Sequence, residues 1–123
     1  MRSSTFVVFD TETTGLYPGY DQLVEIAAVR CRNGAMLDTF ETLVNPEREI
    51  PAEATALHGI TNEMVAEAPS GLDAVLSFFE FVVNDPLLAH NAPFDERFIS
   101  FNCYRHDIEA PDNPIYDTLQ LSR

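Results

Sequence analysis

Residues 6–16 read Phe-Val-Val-Phe-Asp-Thr-Glu-Thr-Thr-Gly-Leu, and they carry the most informative pattern in the chain. Its apolar start is rich in β-branched and aromatic residues, which predicts a buried strand over residues 5–10. Side chains two apart in a strand share a face, so Asp10 and Glu12 are expected to lie side by side. Two partly buried carboxylates repel each other unless a cation lies between them, and oxygen ligands favour Mg²⁺ or Mn²⁺. Gly15 permits a tight turn beyond the strand. The alternative interpretation of a lone Asp-x-Glu is a strand edge at which both acids are solvated.

A third carboxylate, Asp95, occurs far along the chain, shortly after the apolar run of residues 86–89. Pro93 suits the first turn of a helix and Asn91 can cap it, so Asp95 falls in that first turn. Its side chain is then free to face the same site as Asp10. The alternative is an ordinary acid that interacts with the helix dipole.

The rest of the chain predicts one α/β domain with a mixed sheet. The dipeptide Asn33-Gly34 is typical of a hairpin turn, so the second and third strands are expected to pair antiparallel. The expected strands are residues 5–10, 23–32, 36–44, 87–90 and 115–116, and the expected helices are residues 51–57, 61–67, 71–83 and 93–106, with another beginning near Asp117. The core-facing side chains expected on the two longer helices are Leu72, Val75, Leu76, Phe79 and Val82 on one, and Phe94, Phe98, Ile99 and Phe101 on the other.

Composition limits the classes of function. The formal net charge is −13 and the chain contains no lysine, which argues against a broad basic surface for nucleic acid. That argument is weaker for a metal-dependent nuclease, because bound divalent ions reverse the local field. Cys31 and Cys103 are expected to be free thiols rather than a disulfide. With no apolar run of membrane-spanning length and no apparent signal peptide, a cytoplasmic location without membrane contact is expected.

Four ordered segments resemble the DnaQ-like 3′→5′ exonucleases, also called the DEDD or proofreading exonuclease superfamily. Residues 9–16 look like the first exonuclease motif of that family and residues 91–95 like its second. Residues 57–61, Leu-His-Gly-Ile-Thr, are similar to a patch of the proofreading-subunit branch, and residues 113–119 are similar to its Asp-Thr-Leu segment. The resemblance runs from about Thr5 to the last residue. It implies a ribonuclease H-like fold, in which a three-stranded antiparallel meander precedes parallel strands.

The resemblance also implies a role for each matching residue. The implied catalytic residues and ligands of two divalent cations, Mg²⁺ or Mn²⁺, are Asp10, Glu12 and Asp95. Asp10 would bridge both ions and Glu12 would bind the ion that activates water, whereas Asp95 would support the other ion. The implied substrate-binding residues are Thr13, Leu16, His58, Asn91 and Phe94, and Asp117 would support the site from behind the ligands.

Simpler structural roles remain open for several of these residues. His58 precedes a glycine that stops a helix, so it can serve the turn alone. Phe94 can be ordinary core packing instead of a surface on which a base and sugar pack. Asn91 is most simply a helix cap that also orders the site, and Asp117 is equally well explained as a helix N-cap.

The third motif of the family, H-x-A-x-x-D or Y-x-x-x-D, does not occur in these 123 residues. The implied fourth metal-binding aspartate and general base belong to that motif, and His106 does not have the required spacing. The expectation is therefore a single exonuclease-like domain, residues 1–123, that lacks the C-terminal part of the fold. A fragment of a longer enzyme and a natural protein with an incomplete site both remain open. One sheet face is expected to be exposed, or covered by another chain as in a homo-oligomer.

The expected function is metal-dependent 3′→5′ exonuclease activity. The enzyme would hydrolyse the terminal phosphodiester of single-stranded DNA or RNA and release nucleoside monophosphates, as in proofreading, with activity impaired by the missing motif. The expected partners are a single-stranded 3′ end and a DNA polymerase subunit. The alternative is a non-catalytic module of the same fold that binds nucleic acid or a polymerase subunit.

Overall fold

The computed structural model describes residues 4–117. The strands are β1 (Thr5–Thr13), β2 (Leu23–Arg32), β3 (Ala35–Leu43), β4 (Leu87–Ala89) and β5 (Ile115–Asp117), and the helices are α1 (Ala52–His58), α2 (Asn62–Val65), α3 (Gly71–Val82) and α4 (Ala92–Arg105). Within the described range, the five strands form one mixed sheet in the order β3-β2-β1-β4-β5. The β1–β2 and β2–β3 pairs are antiparallel, and the β1–β4 and β4–β5 pairs are parallel. The predicted meander followed by parallel strands is confirmed.

The hairpin between β2 and β3 forms at the predicted dipeptide. Asn33 and Gly34 have φ angles of 52° and 83°, so both central residues are left-handed. This is the conformation of the type I′ turn that matches the twist of paired strands. The turn sets the register of the β2–β3 ladder.

Strand β1 is longer than predicted and ends at Thr13, three residues beyond Asp10. Pairing with β2 continues through the acidic segment, where Glu12 lies opposite Glu25 and Thr13 opposite Leu23. The register shifts between Glu12 and Thr13, so β2 carries a bulge there. The two acids are therefore held by a paired backbone and not by a frayed strand end.

Helices α3 and α4 cover one face of the sheet. Phe78 of α3 lies at the centre of this core, 1% exposed, with its ring centroid 5.3 Å from that of Phe9. The expected stripe on α3 is partly wrong, because Leu76 is exposed and Phe78 takes the central place. The polar residues Asp73, Ser77 and Glu80 occupy one face, but the apolar arc opposite them is wide enough to include both Phe78 and Phe79, so spacing alone does not choose between them. The buried residues of α3 are Ala74, Val75, Phe78 and Val82.

Helix α4 packs on the sheet through Phe98 and Ile99, as predicted. The expected burial of Phe101 is wrong, since this side chain is 41% exposed. Its ring instead lies against the loop before β2, where a Cβ on Gly19 would come within 3.3 Å of it. Phe94 is half-buried at the other end of the helix.

The opposite sheet face is open along β1 and β5 in the described part of the chain, whereas the segment of α1 and α2 packs on its β2–β3 end through Val24 and Leu43. Val8 and Tyr116 are 38% and 48% exposed there, on β1 and β5. This agrees with the expected exposed face, whereas its covering by another chain stays a prediction. The helix predicted to begin near Asp117 lies outside the described residues. Within residues 4–117 no helix is both long and apolar enough to cross a bilayer.

Candidate active site

Asp10 and Glu12 lie on the open face of β1. They alternate with Phe9, Thr11 and Thr13, which are buried on the side of α3 and α4. The predicted side-by-side placement of the two carboxylates follows from this alternation. Asp10 is exposed and Glu12 is half-buried, so a ligand can reach both from solvent.

The acidic pair has a neighbour that the sequence analysis missed. Glu25 of β2 lies directly opposite Glu12 and is half-buried on the same face. Burial raises the pKa of Glu12, the Asp10 charge raises it further, and His58 lowers it. Burial likewise raises the pKa of Glu25, followed by the charges of Glu41, Glu12 and Asp10. An acid in the middle of a predicted strand hinted at this cluster, but only the strand register identifies its neighbour.

Asp95 joins this region from α4 and is 3% exposed. Its Oδ1 accepts hydrogen bonds from the Thr11 backbone N–H, at 3.2 Å, and from the Thr11 hydroxyl. Burial raises the pKa of Asp95 to about 6, the charges of Asp10 and Glu12 also raise it, and the two Thr11 hydrogen bonds lower it. The predicted proximity of Asp95 to the acidic pair is therefore present, across 84 positions of sequence.

The three carboxylates fit a divalent cation by chemistry more than by their present geometry. All their donor atoms are oxygen, and their mutual repulsion is what a hard cation relieves. Within residues 4–117, however, no three His, Cys, Asp or Glu side chains converge into a ready metal-ligand cluster. The reason is the strand: Asp95 bonds to Thr11 from the helix side, whereas Asp10 and Glu12 point to the other face. We expect the Asp95 carboxyl group to turn from Thr11 toward the pair when a cation binds.

A cleft of about 380 Å³ opens beside Glu12. Four of the five expected substrate-binding residues line it, namely Thr13, Leu16, His58 and Phe94. Leu16 and Leu57 reach into solvent at its edge, 71% and 87% exposed. Apolar side chains that protrude beside carboxylates suit a ligand with one apolar face, whose anionic end would be held by a cation bound to those carboxylates.

His58 is fixed by both of its ring nitrogens. Nδ1 accepts a hydrogen bond of 3.1 Å from the Ile60 N–H, so in neutral His58 the proton is on Nε2. Nε2–H then donates to the Thr13 carbonyl, at 3.1 Å. These bonds tie the turn after α1 to the end of β1, which is the structural role left open above. Contact of the ring with substrate stays a prediction.

The loop at residues 14–22 shapes one wall of the cleft around a buried carboxylate. Asp21 accepts hydrogen bonds from the Thr14 hydroxyl, at 2.9 Å, and from the Tyr17 N–H, at 3.1 Å. A Cβ on Gly15 would lie 2.3 Å from Asp21 Oδ2. Gly15 therefore leaves room for this carboxylate, a different reason from the tight turn expected.

We expect Gly15→Ala to destabilise the protein by about 1–3 kcal/mol, because the added methyl group overpacks this loop. Urea unfolding measures the change. The same substitution in an Asp21→Ala background should cost much less, since the clash is then gone. Equal costs in both backgrounds would contradict this account of the loop.

Asn91 and Asp117 are the remaining predicted site residues. Asn91 precedes α4 as expected, but its side chain makes no capping hydrogen bond, so the predicted side-chain cap is wrong. Its carbonyl accepts from the N–H groups of Phe94 and Asp95, and Pro93 lies in the first turn as predicted. Asp117 is the last residue of β5, opposite Ala89, and its role stays a prediction.

Comparison with known proteins identifies a family and related sequences. The family described as RNase_T, exonuclease, matches residues 7–123. A DNA polymerase III subunit epsilon-like protein of Rhodobacter capsulatus is 51% identical over 124 residues, covering 96% of this chain and 17% of that protein. A PolC-type DNA polymerase III of Oceanobacillus iheyensis is 44% identical over 123 residues, covering all of this chain and 9% of that protein. The chain thus spans less than a fifth of these relatives.

The solved structure of exonuclease I in its apo form superposes with a TM-score of 0.86 at 21% identity, covering 98% of this chain and 30% of that one. The E. coli exonuclease I complex with an oligonucleotide gives 0.84 at 21% identity, covering 97% and 29%. These likenesses identify the fold as ribonuclease H-like. The match of the family model over nearly the whole sequence shows that the chain belongs to the RNase_T family of exonucleases.

Proposed function

We propose that this chain is a metal-dependent 3′→5′ exonuclease domain of the proofreading kind. It would hydrolyse the last phosphodiester of single-stranded DNA or RNA and release a nucleoside monophosphate. One observation carries the proposal: the cleft that holds Thr13, Leu16, His58 and Phe94 opens directly beside Glu12. A terminal nucleotide in this cleft would have its phosphate next to the carboxylates.

Each cleft residue would contribute differently to binding that nucleotide. Phe94 offers a half-buried ring on which a base or sugar packs, a contact of about 1–3 kcal/mol. Leu16 adds apolar contact from the opposite wall. His58 keeps the Thr13 backbone in position through its Nε2–H bond. Together these groups orient the phosphodiester and exclude part of the bulk water.

The carboxylates would hold the divalent cations that such a reaction needs. Asp10 and Glu12 present oxygen ligands on the open face, and Asp95 would complete the set by turning from Thr11. When bound, the cations supply the positive charge that stabilises developing negative charge on the phosphate. Two of the relatives are named as polymerase III proteins, and this supports both a polymerase partner and a proofreading role.

The test is mononucleotide release from single-stranded oligonucleotides, with a label at either end, in Mg²⁺ and in Mn²⁺. We expect stepwise loss of nucleotides from the 3′ end and its disappearance in Asp10→Ala. A low rate is expected for the 123-residue chain alone, because the sequence contains no H-x-A-x-x-D or Y-x-x-x-D segment. Release from the 5′ end, or activity that survives Asp10→Ala, would refute the proposal.

A non-catalytic binding module is the second candidate, because the carboxylates of residues 4–117 form no ready metal cluster. It predicts oligonucleotide binding without cleavage under every metal condition, and equal binding by Asp10→Ala. Calorimetric titration with Mn²⁺ separates the candidates further. A module of this kind would show no Mn²⁺ binding that depends on Asp10.

A further inference from the structure

A second cavity, also of about 380 Å³, lies on the other side of the loop at residues 14–22. It is lined by the segment that follows β3 and by the C-terminal end of α4. Arg48 and Arg105 face it from these two segments, together with His106. We call it the arginine cavity. Two of the five arginines within residues 4–117 thus share one concave site, in a chain whose net charge is −13.

Both guanidinium groups are positioned by the same loop. Arg48 Nη1 donates to the Tyr20 carbonyl at 2.8 Å, and the guanidinium carbon lies 4.5 Å from the centre of the Tyr20 ring. Arg105 Nη1 donates to Gln22 Oε1 at 2.5 Å. A guanidinium carries five N–H donors, so these bonds leave donors for a ligand. Arginine is also the side chain best matched to phosphate oxygens.

Two acidic side chains, Glu47 and Asp21, also lie at the arginine cavity. Glu47 lines the cavity but is exposed to solvent. Asp21 Oδ1 lies 3.9 Å from Arg48 Nη1, yet this carboxylate is buried and accepts hydrogen bonds from its own loop. The N-terminus of α3 and the C-terminus of α4 both meet the cavity, so their dipoles oppose each other. The case for a phosphate ligand therefore rests on the directed N–H donors of Arg48 and Arg105, and not on a net positive charge of the cavity.

The arginine cavity is within reach of a strand held in the cleft. Leu16 lines the cleft and Gln22 lines the cavity, so the loop at residues 14–22 borders both. Helix α4 joins the two sites, with Phe94 in the cleft and Arg105 in the cavity. Eleven helical positions span about 16 Å. A stacked strand places a phosphate about every 3.4 Å, so four or five phosphates cover this length.

We propose that the arginine cavity binds a backbone phosphate of the nucleic-acid strand whose 3′ end lies in the cleft. The inference rests on the proposed function, because the cleft is taken as the site of that end. It assigns Arg48 and Arg105 to contacts upstream of the cleaved bond. A dinucleotide is too short to make these contacts, whereas an octanucleotide makes them.

The experiment measures binding, so it does not depend on cleavage. Fluorescence anisotropy in EDTA follows a dinucleotide and an octanucleotide with a dye at the 5′ end. The variants are Arg48→Ala, Arg105→Ala and the milder Arg105→Gln, with thermal melts to verify folding. Arg32→Ala is the matched control, since it removes the same charge at the hairpin end of β2, far from both sites. We expect about tenfold weaker octanucleotide binding for each cavity variant, a salt slope lower by about 0.7, and unchanged dinucleotide binding.

Three outcomes would overturn the inference. In the first, Arg32→Ala weakens octanucleotide binding as much as the cavity variants do, which indicates a general charge effect. In the second, the cavity variants weaken binding of both lengths equally. In the third, they leave both oligonucleotides unaffected but abolish binding of an acidic peptide such as polyglutamate, which assigns the cavity to a protein partner. Failure of the proposed function is distinct, because it appears as absent 3′ cleavage by the unaltered chain.

Discussion

Asp95→Asn is expected to stabilise the metal-free protein by about 1–3 kcal/mol near pH 8, and by much less near pH 4. The folded-state pKa of Asp95 is about 6, above its ordinary value of 3.8. The contribution of the protonated Asp95 carboxyl group to the free energy of unfolding is therefore fully present below pH 3.8. This contribution is lost as the pH rises through about 6. The difference between these two pKa values corresponds to about 3 kcal/mol of unfolding free energy. This value is an upper limit, because solvent near the cleft screens part of the repulsion between the carboxylates.

Asparagine isolates the charge because it keeps the shape and an oxygen acceptor for Thr11. Urea unfolding in EDTA between pH 4 and pH 8 should give a falling stability for the unaltered chain and a flatter profile for Asp95→Asn. Thr11→Val is the matched control, because it removes a hydrogen bond that lowers the pKa of Asp95. The decrease in stability should therefore occur at higher pH in this variant. Parallel profiles for the unaltered chain and Asp95→Asn would contradict this account.

A divalent cation should reverse the effect of the Asp95 charge near pH 8. A ligand at one hundred times its dissociation constant stabilises the folded state by about 2.7 kcal/mol. The unaltered chain should therefore gain more stability from Mn²⁺ than Asp95→Asn does. The same substitution should lower any exonuclease rate by several orders of magnitude, because a ligand is lost from the reaction site.

Phe78→Ala is expected to cost about 3–5 kcal/mol of unfolding free energy. The ring is 1% exposed and packs against Phe9, with the rings of Phe40 and Phe79 each 6.1 Å away. Removing it leaves a hole between α3 and the sheet that these neighbours fill only in part. Such a loss is a large share of the 5–15 kcal/mol typical of a domain.

Urea unfolding measures this change, and Leu76→Ala on the same helix is the matched control. Leu76 is 41% exposed, so its truncation should cost less than about 1 kcal/mol. Phe78→Leu should recover much of the loss, because it keeps an apolar side chain of similar volume. If Leu76→Ala proves the more damaging substitution, α3 has a different rotation from the one described.

Local sequence predicts the elements of this fold well where side-chain chemistry is distinctive. The bounds of β2 and the Asn33-Gly34 turn follow from alternation and from a dipeptide that favours left-handed angles. The rotation of α3 does not, because its apolar arc is wide and can present either Phe78 or Phe79 to the sheet. Packing against Phe9 makes that choice, and it is a property of the folded chain.

The candidate site was likewise predictable only in part from the sequence. Asp10, Glu12 and Asp95 were identifiable from their motifs, and four cleft residues from the resemblance. Glu25 was missed because its position opposite Glu12 depends on the register of the β1–β2 ladder, which the sequence alone does not give. The two backbone bonds of His58 were equally hidden, since they depend on how the turn after α1 meets β1.

The hydrogen bond from the Thr11 amide to Asp95 has a spectroscopic consequence. This amide proton points at a titrating carboxylate of the candidate site, so its chemical shift depends on the charge and the orientation of that group. In an ¹⁵N–¹H spectrum, the Thr11 amide resonance therefore reports on the state of the Asp95 carboxyl group. It moves when Asp95 takes up a proton, and it moves again when the carboxyl group turns away to join a cation.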